Sequence, residues 1–188
     1  RTSLDAQISS DKIRAIAGKT KNIGQYPANG FASNLKLVAR LIAGGLPTRV
    51  FYVSQGGYDT HSGQRVGHDT RLTDLTSSLK AFTDDLTAMG HADRVLIMTF
   101  SEFGRRVAEN GSRGTDHGAA APMFFIGPKM KSGIIGAEPS LNPADLLDGD
   151  IKYHTDFRSV YASVLENWLK TPSVPILGKK YATVPMLA

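Results

Sequence analysis

The sequence contains no cysteine, which excludes disulfide bonds, thiolate metal sites and cysteine nucleophiles together. That absence suits an extracytoplasmic protein. No run approaches the roughly 18 consecutive apolar residues of a membrane span, so no spanning helix is expected. Charge of one sign does not dominate either: 22 Lys and Arg against 17 Asp and Glu leave a net charge of +5. The basic residues are scattered and not interleaved with aromatics, so no nucleic-acid partner is expected. A mildly basic surface instead suits anionic substrates or envelope polymers. A P-loop, a dinucleotide fingerprint and a nucleophile elbow are all missing. So is a signal peptide, and a chain starting at Arg1 reads as a processed protein or a fragment.

What is present fits one globular α/β domain over residues 1–188, with 41% hydrophobic and 21% charged residues and no internal repeat. Leu4, Ile8, Ile13 and Ile16 predict a helix from Ser3 to Ala17, with Ser3 as its N-cap and Gly18 as its stop. A second helix carries Leu35, Leu37, Val38, Leu41 and Ile42 and ends at Gly44-Gly45. Val50, Phe51, Tyr52 and Val53 read as a buried strand over Arg49 to Ser54. The longest periodic segment, Arg65 to Met89, aligns Leu72, Leu75, Leu79, Phe82 and Leu86 on one stripe before Gly90. Strands over Arg94 to Phe100 and Ala121 to Ile126 follow, making the middle of the chain a βαβ unit with a parallel pair. Gly127 to Pro143 reads as irregular, Asp156 to Leu169 as a helix, and the tail after Thr171 as a surface wrap.

Three clusters carry the chemistry, each at a glycine-rich turn near a predicted strand. In Gly-Gly-Tyr-Asp-Thr-His, residues 56 to 61, Asp59 offers oxygen and His61 nitrogen, a mixture suited to zinc, manganese or iron more than calcium. Local extended backbone puts both on one side. Alternatively, Asp59 caps the next helix and His61 is a loop residue. In Ser-Glu-Phe-Gly-Arg, residues 101 to 105, Glu102 is a strand-end ligand and Arg105 an anion binder, or the two form a surface ion pair. In Gly-Thr-Asp-His-Gly, residues 114 to 118, His117 is a ligand with Asp116 beside it, or Asp116 simply braces a turn. Together these residues favour a divalent metal site. Of the other histidines, His68 suits a supporting role, His91 is solvated, and His154 precedes a helix capped by Thr155 or Asp156. Asp156 and Arg158 are secondary candidates.

With these residues assembled, the chain resembles the C-terminal part of the bacterial family known as domain of unknown function 1501. The likeness rests on Thr48 to His61, Thr99 to Arg106, Glu109 to Gly118 and Thr155 to Tyr161. It implies a branch of the alkaline-phosphatase and sulfatase superfamily, hence a three-layer αβα fold with a mainly parallel sheet, present here as a partial, C-terminal copy. Asp59 and His61 resemble that superfamily's loop Asp and His, Glu102 its strand-end acid, and His117 its later His. Where the superfamily has Asp-His-Gly, this chain has Glu102-Phe103-Gly104. The resemblance further implies a nucleophile on a preceding segment, a twin-arginine export signal and a periplasmic or secreted location. The expected function is metal-dependent hydrolysis of phosphate or sulfate esters, inactive in this chain alone. The alternative is a non-catalytic envelope protein that binds an anionic glycan or a protein partner.

Overall fold

The computed structural model describes residues 2–187, and side chains from Gln7 onward. The expected Ser3 cap and the Leu4 contact lie outside the described side chains. The chain divides into two compact units, Arg1–Val95 and Leu96–Ala188.

The first unit is helical: α1 spans Thr2–Lys19, α2 Gly30–Ala43 and α3 Gln64–Ala88, with a short 3-10 turn at Ala92–Arg94. α2 packs on both of the other long helices. It starts where the Asn29 side chain accepts the Ala32 N–H at 2.7 Å, and it buries Ala32, Leu35, Ala39 and Ile42 at helical spacing. It stops at Gly44, where a Cβ would lie 2.7 Å from Ile16, so α1 and α2 close on each other only over glycine. Ile16, Ala17 and Leu41 form a small core there, with Leu46 and Phe51 against it. Ile8 and Ile13, the outer part of the expected α1 stripe, are exposed.

α3 buries Leu79, Phe82 and Leu86 of its stripe, but Leu72 lies on the exposed part of the helix. Its central feature is Asp85, fully buried. The carboxylate accepts from Asn22 Nδ2 at 2.6 Å, from the Ile23 and Gly24 N–H groups at 2.7 and 2.9 Å, and from the Tyr26 hydroxyl at 2.9 Å. Burial alone would raise the Asp85 pKa, yet these hydrogen bonds outweigh it and hold the carboxyl below its usual range. Burial and the same bond push the Tyr26 phenol far up, keeping it a donor. The segment linking α1 to α2 is thereby strapped to α3.

The second unit carries four two-residue strands: β1 (Ile97–Met98), β2 (Gly104–Arg105), β3 (His117–Gly118) and β4 (Phe125–Ile126). β1 pairs with β4 and β2 with β3, both antiparallel. α4 (Phe157–Ser163) runs on as a π turn over Val164–Trp168, and α5 is the single turn Val174–Leu177. Asp156 caps α4 through the Arg158 N–H at 2.9 Å. Hydrogen bonds from the Arg158 side chain and backbone hold its carboxyl at about 2. The tail is stitched down: the Val184 N–H donates to the buried Ser163 hydroxyl at 2.6 Å, and Met186 is buried.

The expected three-layer αβα fold with a mainly parallel sheet is not what forms. The architecture is mostly helical, and its two small sheets are antiparallel. Residues 49 to 54 form no strand, and Val50 and Tyr52 are 67% and 73% exposed. A parallel strand is buried on both faces, whereas here only the Phe51 face meets a core. Without that strand there is no βαβ unit. The predicted strand over 94 to 100 is cut at its start by the 3-10 turn, where Arg94 reaches the Ile42 carbonyl at 2.8 Å. Among the described residues no helix is long and apolar enough to cross a membrane.

Two outcomes follow from this packing. Asp85→Ala strands four donors and is expected to lower stability by roughly 3–5 kcal/mol in urea unfolding, with Asp85→Asn costing less. Because the folded carboxyl is held low, its contribution is complete above the ordinary carboxyl value of about 4 and is lost as pH falls through the folded value. The gap between the parent and Asp85→Asn should therefore narrow in acid; an equal gap at pH 7 and pH 3 would contradict this. In the second unit, a Cβ on Gly104 would sit 1.7 Å from the Ala120 carbonyl oxygen. Gly104→Ala should cost about 2–3 kcal/mol and speed exchange of the Arg106 amide, while Gly111→Ala, in open space, should stay within about 0.5 kcal/mol.

Candidate metal centre

In the first unit the donors lie in the loop that leads into α3. Gly57 adopts φ 93, and the Arg71 side chain crosses where its Cβ would be, with Nε 3.1 Å away. The Tyr58 hydroxyl donates to Gln55 Oε1 at 2.9 Å, and Gln55 Nε2 donates to the Arg71 carbonyl at 3.2 Å. Burial pushes the Tyr58 phenol up, with the Arg71 guanidinium opposing, so Tyr58 remains a donor. His68 meets the Tyr58 ring edge-on at 6.0 Å, and its Nδ1 is buried without a hydrogen-bond partner. The loop is thus pinned to one turn of α3.

Beyond that anchor, Asp59 Oδ1 and His61 Nε2 lie 3.0 Å apart, with their side chains 65% and 47% exposed. Gly63, in the left-handed conformation, occupies the N-cap of α3, so Asp59 is not that cap. Ligand atoms held about 2.1 Å from one ion lie roughly 3.0–3.4 Å apart along a coordination edge. The observed spacing fits one shared ion as well as a hydrogen bond.

In the second unit the residues sit on the β2–β3 hairpin. Gly104 faces Gly118 and Arg105 faces His117. Added Cβ atoms would collide with backbone at both glycines, so the pair permits the close approach. The imidazole of His117 stacks on Phe103, ring centroids 3.9 Å apart and 7° from parallel, and the Arg105 guanidinium carbon lies 4.8 Å from the centre of the same ring. Arg105 also donates to the Thr115 carbonyl at 2.5 Å. Asn110 shapes the connecting loop, accepting from the Ser112 and Gly114 N–H groups and donating to Asp116 Oδ1 at 3.2 Å. The Asp116 carbonyl accepts the Arg106 N–H at 3.0 Å.

Asp59 and His61 make up a candidate metal-binding pair on one loop, both exposed and each offering one ligand atom, and His117 is an exposed donor on the hairpin of the second unit. A carboxylate with an imidazole fits zinc or manganese better than an all-oxygen calcium site. Asp116 stands next to His117 in the hairpin. Glu102 stands apart: it is exposed, and it follows the end of β1 by four residues instead of ending the strand. The alternative Glu102 to Arg105 ion pair does not form among the described contacts, and the neighbouring Arg106 binds Asp150 at 3.3 Å. The motifs alone give no role to Phe103, which stacks on His117, or to Asn110, which shapes its loop. The signals for them were an aromatic between Glu102 and Gly104, and an Asn-Gly turn ahead of the histidine.

No curated protein and no solved structure matches the chain. The model of the family described as "Protein of unknown function (DUF1501)" matches residues 2–169. With nearly the whole chain matched, including all three donor-bearing clusters, the protein belongs to the DUF1501 family.

Proposed function

We propose that the protein is a metal-dependent hydrolase of phosphate or sulfate esters, with Asp59 and His61 as ligands and, on the strength of the motifs alone, Glu102, Asp116 and His117 as further candidates. The observation that carries this reading is the 3.0 Å approach of Asp59 Oδ1 to His61 Nε2 on a loop pinned to α3. Zinc or manganese, when bound, polarises an ester oxygen and lowers the pKa of a coordinated oxygen nucleophile. Asp59 supplies charge to hold the cation, and His61 supplies a neutral nitrogen. The stack on Phe103 fixes the plane of the His117 ring, which limits how its nitrogens turn. Arg105, held against the same ring, supplies positive charge for the anionic group of the substrate. The chemistry is of the alkaline-phosphatase and sulfatase kind on the strength of the motifs alone, and no nucleophile is assigned within this chain. An exported protein, periplasmic or secreted, suits both the motifs and the lack of cysteine.

A second reading is a non-catalytic envelope protein that binds an anionic glycan or a protein partner. The exposure of Asp59 and His61 favours it, since hydrolytic sites gain strength from excluding water.

Equilibrium dialysis against zinc and manganese followed by elemental analysis tests the first reading. The chain should retain close to one ion, and Asp59→Ala and His61→Ala should each weaken retention at least about tenfold. Chelator-sensitive release of nitrophenol from p-nitrophenyl phosphate or sulfate would complete the hydrolase assignment. Metal retention without turnover favours the second reading, and absence of metal from the parent chain contradicts the first.

A further inference from the structure

The second unit holds an open cleft of about 440 Å³, lined by Leu147, Asp148, Ile151, Lys152, Tyr153 and His154 among others. None of the candidate metal ligands lines it, so what it binds lies beyond both readings above. Its rim is preformed. Leu147 and Asp150 exchange backbone hydrogen bonds at 2.9 and 2.8 Å across a two-residue turn, with Asp148 at φ 52 and Gly149 at φ 84. Positive φ at both central residues marks a tight hairpin turn. Arg106 staples this turn, donating to the Asp148 carbonyl and pairing with the Asp150 carboxylate at 3.3 Å.

Beside this rim, the Tyr153 ring is 69% exposed and Leu147 is 58% exposed. Among the described residues, the Asp148 carboxylate, the Lys152 amine and the His154 imidazole have no hydrogen bond or ion pair, while Arg106 already engages Asp150. An aromatic face with a carboxylate acceptor, an ammonium donor and an imidazole has a clear complement. A pyranose ring presents a face of C–H groups to an aromatic and a rim of hydroxyls that both donate and accept. A doubly charged phosphate or sulfate would meet repulsion from Asp148, and a purely apolar ligand would strand three polar groups. The volume lies toward the small end of ligand pockets, room for one or two sugar rings.

We propose that this cleft is a binding site for a neutral saccharide, with Tyr153 as the stacking platform and Asp148, Lys152 and His154 as hydroxyl partners. Saturation-transfer NMR on this chain with maltose, cellobiose and chitobiose as probes tests it. At least one probe should show transfer to its ring C–H protons. Tyr153→Ala should weaken binding about tenfold or more, and Tyr153→Phe, which keeps the ring, should stay within about twofold. Lys152→Ala, at another exposed position, should weaken binding several-fold and serves as an independent variant. No transfer to any of the probes, or binding undiminished in both alanine variants, would overturn the proposal.

Discussion

A single buried carboxylate holds the first unit together. Asp85 is fully inaccessible, and it is stabilised by donors gathered from one short segment, Asn22 to Tyr26. An unpaired charge at that depth would cost several kcal/mol, so the segment and α3 are bound to each other's position. The apolar core around Ile16 and Leu41 is small, and hydrophobic burial alone gives little directional specificity. Asp85 supplies that specificity. Asn29 extends the same logic, capping α2 with its carbonyl oxygen while its amide reaches Asp74 and Ser78 on α3 at 3.3 Å each.

α3 then serves as the rod on which the first donor loop is mounted. Near its start the Arg71 carbonyl receives Gln55, and the Arg71 side chain crosses over Gly57. Asp59 and His61 therefore project from a braced loop. The second donor loop is braced differently, by backbone contact between two facing glycines and by an aromatic stack. Both loops place polar groups at the surface on rigid supports, the arrangement that binding and catalysis require.

Helices were readable from the residues because their periods and their boundaries agree. Gly44 and Gly90 mark ends that the structure places within a residue or two. The strands were readable only in part, since β1 falls within 94 to 100 and β4 within 121 to 126 but residues 49 to 54 form none, and the reason is physical. An apolar run such as Val50 to Val53 says that side chains seek burial, but it carries no record of which backbone will accept its hydrogen bonds. Here Val50 and Tyr52 stay exposed, and the short ladders that do form are antiparallel. The π turn at the end of α4 left no sequence signal either.

The chemistry-bearing clusters were legible as residue types. Their local geometry was legible only in part: the pairing of Asp59 with His61 follows from extended backbone, whereas the stack of Phe103 on His117 requires the hairpin register. On this reading one metal is held by the Asp59 carboxylate and the His61 imidazole of a single braced loop. Pulsed electron paramagnetic resonance on the manganese-loaded chain tests it most directly, by counting coupled imidazole nitrogens. Coupling from His61, lost on His61→Ala, is the predicted result. A shell of oxygen ligands alone, unchanged by that substitution, would contradict it.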